Sequence, residues 1–306
     1  MSERSSTPTR RAVAVGIGAA GLVAATPAVA QFDFLKSGNV QQLLGTTAQL
    51  AQGFAMREED EAKMGQTYYE QYVGQGGGRY PDRNAQEALS KFAQPFIATS
   101  QRKKFPWEIA LLQNNQVNAW AIPGGKLAIN SELVKYTDDP AELGSVIAHE
   151  IGHAELSHGV QQMRTQAFMA TVSQAGQIAI AATLGKAAPL TGAVFQALQG
   201  PVFGMVNAGY SRQREFEADS HILGVFQKTG QDPQKASDFF KTLMKVYPSN
   251  SSATTSLFST HPGTQARIDK LNSSARAMPR PPRAGDPPGW AELKAMFPTP
   301  AGFGRG

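Results

Sequence analysis

Between residues 139 and 159 the apolar positions Leu143, Val146, Ile147, Ile151 and Ala154 recur at steps of three and four, the stripe of a helix with one buried face. Asp139 is placed to cap this helix, Pro140 suits its first position, and Glu142 sits where a capping-box carboxylate reaches back. Just upstream the period changes to two. Trp107, Ile109 and Leu111 alternate, then Val117, Ala119 and Ala121, and after the turn residues Pro123, Gly124 and Gly125 the pattern resumes at Leu127 and Ile129. This predicts a small sheet of two or three strands. Earlier, MREEDEAKMGQTYYEQYVGQGGG reads as a polar helix stopped by Gly74 and the run Gly76 to Gly78. RNAQEALSKFAQPFIATSQ follows as a helix with Ala88, Leu89, Phe92 and Phe96 at helical spacing. A further helix, YSRQREFEADSHILG, carries Glu215 and Asp219 four apart on one face, with Gly224 and Gly230 toward its end. The expected fold is mainly α with a small β-sheet.

Two stretches break this pattern. From Arg164 to Arg212 the only charged residue inside is Lys186. Two buried helices bridging the charged ones account for it best; the competing reading is an apolar lid, or a surface through which residues 165–211 touch a membrane or exposed hydrophobic clients. Gln, Ser, Thr and Gly interrupt the stretch too often for a spanning helix. After residue 272 no helical repeat follows. ARAMPRPPRAGDPPGW is a Pro-rich linker before AELKAMF and a Gly/Pro end, a tail for which disorder, docking back and binding elsewhere are all open.

Composition is that of a globular chain: 41% hydrophobic and 17% charged over 306 residues. The first thirty residues add a destination. MSERSSTPTRRAVAVGIGAAGLVAATPAVA has a basic start, an Ala/Gly/Val run and a small-residue end suited to cleavage after Ala30, and Arg10 with Arg11 resembles a twin-arginine signal. Export to the periplasm or cell envelope is the expectation. The absence of cysteine removes a disulfide framework, a thiolate metal site and a cysteine nucleophile. Net charge is +5; the leader's three arginines and one glutamate account for two of those charges, leaving +3. That excess, with no basic stripe interleaved with aromatics, gives no ground for a nucleic-acid partner.

The chemistry lies in VIAHEIGHAELSHG. His149 and His153 are one helical turn apart and project from one face, a spacing that lets two neutral imidazoles bind a single zinc ion. Glu150, beside the first of them, reaches water rather than the metal and is the candidate general base and later proton donor. A third ligand must come from His158, His221, His261 or a downstream carboxylate. Glu215 can complete a two-histidine, one-glutamate set, and Asp219 can orient a histidine through its second ring nitrogen. By itself this helix also reads as a solvated charged face. His158 lies five residues past His153, off its face, and is taken as structural; His221 is taken as a surface residue.

HEIGH, SRQREFEAD, NAWAIPGGKLAIN and STHPGTQARI stand in the order found in a known family. Over residues 57 to 272 the chain resembles the gluzincin zinc metallopeptidases that include HtpX, the CAAX prenyl endopeptidase and BepA-like periplasmic proteases. The resemblance implies zinc held by His149, His153 and Glu215, Glu150 as catalytic base and Asp219 as a partner of the ligands. It implies that His261 lies near the metal, stabilising the oxyanion or occupying the water position at rest, and that Arg267 holds the His261 loop. Thr260 and Pro262 also suit the start of a helix. Asn118 and Ala119 fall on a strand along the cleft, where an extended substrate adds through main-chain hydrogen bonds. The resulting expectation is an export signal over 1–30, one gluzincin-type domain over 31–272 and a tail over 273–306. Its function is zinc endopeptidase cleavage of misfolded or stalled envelope proteins. The alternative is a chaperone-like protein that binds clients and carries a latent zinc site.

Overall fold

The computed structural model describes residues 56–163, 165, 209–246, 260–261, 264–282 and 285–302. The expected leader and nearly all of the apolar stretch 165–211 lie outside the described residues.

Helix α1 (Glu58–Gln75) opens with four acidic residues, which favour the positive end of the helix dipole. It is less polar in its role than in its sequence. Met64, Tyr68, Tyr69, Tyr72 and Val73 are all buried, and Gly76 follows its last turn. Helix α2 (Arg83–Ile97) is capped by Asp82, whose side chain accepts from the Asn84 amide, and buries Ala85, Ala88, Leu89, Phe92, Ala93 and Phe96.

Between these helices lies a three-stranded sheet: β1 (Glu108–Leu112), β2 (Ala119–Ile122) and β3 (Lys126–Asn130), in the order β1-β3-β2. β3 is parallel to β1, with Glu108 opposite Lys126, and antiparallel to β2, with Ala119 opposite Ile129. The alternation in sequence reflects two covered faces. Ile109, Leu111, Ala119, Ala121, Leu127 and Ile129 join the core built with α2, whereas Ala110, Leu112, Trp120, Ile122 and Ala128 pack with the tyrosines of α1. β2, at one end of the order, carries a free edge among the described residues.

The short helix α3 (Ser131–Lys135) leads into α4 (Pro140–Glu155), where every residue from Ala141 to Ala154 is buried. The Asp139 side chain caps α4 at the Ala141 amide. Glu142 reaches back one residue further than a capping box predicts, taking the Asp138 amide at 2.6 Å, and its other oxygen accepts from Thr242. Ser211 caps helix α5 (Arg212–Thr229), which Gly230 ends in a left-handed conformation. Helices α6 (Asp238–Val246) and α7 (Thr264–Arg276) cover the same side. The tail docks back. In α8 (Trp290–Met296), Trp290 packs against Phe92 with the rings tilted by 40°, and Leu293 is fully buried. Gly289 stands so close to α2 that a Cβ there would lie 2.2 Å from the Ala88 carbonyl oxygen. Among the described residues no helix is long and apolar enough to cross a membrane.

Candidate active site

Two helices build the site because they pass close together. Gly152 of α4 faces α5 with no room for a side chain: a Cβ would sit 3.0 Å from His221 Cβ and 3.2 Å from Ala218 Cα. The close approach brings Glu215 and Asp219 of α5 against His149 and His153 of α4. Glu215 is fully buried; His149, Glu150, His153, Asp219 and His261 are each no more than 5% exposed.

His149 Nε2 and His153 Nε2 face each other at 3.0 Å, and His261 Nδ1 lies 3.2 Å from His149 Nε2. The Glu215 oxygens lie 3.5 Å from each of the two α4 histidines and 3.1 and 3.2 Å from His261 Nδ1. Metal donors at about 2.0 to 2.2 Å in a tetrahedral set stand roughly 3.3 to 3.5 Å apart. The observed separations are close to the edges of such a tetrahedron, and donor atoms of these four residues all lie within 4.8 Å of one another. The residues fit a divalent metal of zinc's preferences: nitrogen and carboxylate donors, no thiolate, in a buried cage.

Glu150 lies beside this cage without joining it. Neither of its oxygens makes a hydrogen bond, and His261 Nε2 is 3.6 Å from Oε1. Burial raises its pKa, more than the nearby histidines lower it. The opposite holds for Glu215: burial opposes its charge, but His261 and His149 outweigh it and hold the carboxylate well below its ordinary range. Burial alone would lower His149, yet hydrogen bonds with Asp219 and Glu215 lift it to about 9 in the metal-free chain. Proton and metal therefore compete for that ring. His153 is pushed well below the ordinary histidine value by burial and then by His149.

Arg267, 1% exposed, ties the carboxylates together. Its Nε and Nη2 donate to the two Asp219 oxygens, each at 2.7 Å; Nη1 lies 2.7 Å from Glu215 Oε2 and donates to the His261 carbonyl at 3.2 Å. The guanidinium also lies over the Phe240 ring, 4.4 Å from its centre. Asp219 in turn lies 3.0 Å from His149 Nδ1, so once the ring gives up its second proton the one that remains points outward to Asp219 and the Nε2 lone pair faces the cage. The loop-holding role expected of Arg267 is thus only part of what it touches. Asn118 and Ala119 lie at the start of β2, both buried, with the Asn118 side-chain oxygen unbonded. Thr260 is described beside His261, whereas Pro262 lies outside the described residues.

Two histidines differ from their expected surroundings. His221 is not a surface residue: it is half-buried against Gly152, 3.7 Å from Glu155. His158 is wholly buried, its Nδ1 2.9 Å from His153 Nδ1. The spacing argument assumed a continuous helix, but α4 ends at Glu155. Ser157 adopts a left-handed backbone at φ 52°, and a new helical stretch over 158–163 turns His158 back toward the site. Tyr210, flat against His153 with ring centres 4.0 Å apart, also escaped the sequence reading; nothing in its spacing marks it.

A pair of histidines on one helix, a glutamate from another and an unengaged carboxylate beside them define a metallopeptidase centre. The chain belongs to peptidase family M48, whose family model matches residues 82–275. It is 28% identical over 247 residues to the beta-barrel assembly-enhancing protease of Escherichia coli strain K12, covering 80% of this chain and 49% of that protein. It is 33% identical over 167 residues to metalloprotease YcaL of the same strain, covering 54% and 61%. Over 197 residues it is 26% identical to the mitochondrial metalloendopeptidase OMA1 of Arabidopsis thaliana, covering 64% and 37%. The chain spans about half the length of the beta-barrel assembly-enhancing proteases it matches.

Proposed function

We propose that this chain is a zinc-dependent endopeptidase of the cell envelope that cleaves misfolded or stalled envelope proteins. The observation that carries the catalytic part is Glu150: a buried carboxylate with no hydrogen bond, beside a four-donor cage it does not complete. Structural metal sites have no use for such a group.

His149, His153 and Glu215 hold the zinc in this reading. Bound zinc supplies a Lewis acid that polarises the scissile carbonyl and acidifies water. Glu150 takes the proton from the attacking water and delivers it to the leaving amine; its burial-raised pKa keeps it within reach of both tasks. Asp219 holds His149 in the ligating tautomer, and Arg267 offsets the charge of the two buried carboxylates. His261, placed as a fourth donor atom, would occupy the water position at rest or stabilise the developing oxyanion. The free edge of β2, entered at Asn118 and Ala119, takes an extended substrate by main-chain pairing. The relatives' names support the protease reading; export and an unfolded clientele rest on the leader and on the family resemblance, and contact with a membrane through residues 165–211 remains part of the same proposal.

Cleavage of casein by the purified, zinc-loaded protein tests this. Glu150→Gln should retain zinc and lose about 10²- to 10⁴-fold in rate. Equal cleavage by parent and variant removes Glu150 from the mechanism. If neither cuts while both hold zinc and shield unfolded proteins from aggregation, the client-binding reading takes its place.

A further inference from the structure

His149 has a partner that sets its tautomer, and His153 raises the same question. From His153 a line of side chains runs outward. His153 Nδ1 meets His158 Nδ1 at 2.9 Å, and His158 Nε2 meets Glu217 Oε2 at 3.1 Å. Gln213 Nε2 donates to the other Glu217 oxygen at 2.9 Å. The His158 side chain is 0% exposed and the Glu217 side chain 43%, so the line begins in the core and ends at the surface.

The proton positions follow from what each group can do. A carboxylate only accepts, so the His158 Nε2 carries a proton and donates it to Glu217. In the neutral ring Nδ1 is then bare and accepts. Its partner is His153 Nδ1, which must therefore be the protonated nitrogen of that ring. This leaves the lone pair of His153 on Nε2, the atom 3.0 Å from His149 Nε2 and 3.5 Å from Glu215. Tyr210, stacked at 16° to the ring, fixes its plane.

We infer that His158 and Glu217 are positioning residues for the metal: together they hold His153 in the tautomer and orientation that ligates zinc, as Asp219 does for His149. The inference rests on the proposed zinc site and adds two residues to it. It also accounts for the left-handed Ser157. That residue, which accepts from Arg102 at 2.7 Å and donates to Glu61 at 2.8 Å, ends α4 where His158 must turn inward.

The test is zinc affinity of the purified full chain, measured by competition with a fluorescent chelator at fixed pH, alongside melting of the metal-free protein. His158→Leu should weaken zinc toward 100-fold, and Glu217→Ala by about tenfold. His158→Asn, whose side-chain oxygen can accept from His153 Nδ1, should recover most of the loss although it repairs none of the lost ring packing. Parent-like zinc affinity in a folded His158→Leu overturns the inference, as does an equal loss in His158→Asn and His158→Leu. Should His158→Leu not fold, Glu217→Ala decides: its position is partly exposed, so unchanged affinity there overturns the inference. A parent that binds no zinc overturns the site reading and this inference together. A parent that binds zinc, with unaffected variants, overturns this one alone.

Discussion

Helices α4 and α5 each give charged or ionisable side chains to the same cage, yet they differ in almost every other respect. α4 is buried over fourteen consecutive residues, from Ala141 to Ala154, and its histidines and Glu150 stand out against Leu, Val, Ile and Ala. α5 is buried on one face only, and Glu215 and Asp219 are set among Arg212, Arg214, Glu217 and Lys228. Polar groups in an apolar helix announce a task, whereas in a polar helix they are hidden by neighbours of the same kind. Visibility in sequence and importance in the site are separate properties.

The strongest way to break this comparison is to remove one ligand from each helix. His153→Ala and Glu215→Ala should behave alike, both losing zinc on dialysis and both losing casein cleavage; retention of zinc by Glu215→Ala alone would show that α5 is the bystander its sequence suggests. Next in size is Arg267→Met. Leaving Glu215 and Asp219 buried without their cation should destabilise the metal-free protein by about 3 to 5 kcal/mol in urea unfolding. Zinc should restore part of this because it binds only the folded chain. An equal deficit with and without zinc would separate Arg267 from the cage. Smaller still is Gly152→Val, which presses on His221 and Ala218 where the two helices meet. We expect a loss of about 1 to 3 kcal/mol in stability, together with weaker zinc binding as the donors move apart; unaltered affinity would mean that the helix spacing does not set the cage.

Most of the architecture was legible because period and punctuation agreed. The alternation over 107–129 became three strands, and Asp139 with Pro140 marked the start of α4 within a residue. α1 was misjudged as polar because its buried face is built of tyrosines, which are amphipathic and so score as neither inside nor outside. His149, Glu150 and His153 could be found from spacing alone. Glu215 and Asp219 needed the order of all four motifs. His158 was out of reach for a different reason: the left-handed turn at Ser157 depends on Arg102 and Glu61, distant in sequence, and no helical wheel contains them. The docked tail depended likewise on the slot that α2 leaves beside Gly289.

The cage also draws its parts from places far apart along the chain. His149 and Arg267 are 118 residues apart, and His261 and Arg267 enter only after α5 has been made. During synthesis, which runs from the N-terminus, a chain that has reached Thr229 holds both histidines and both acids but not the cation that reconciles the acids. A partly made chain therefore holds two buried acids that nothing yet balances, and the cage is finished only when the last of its parts has been added.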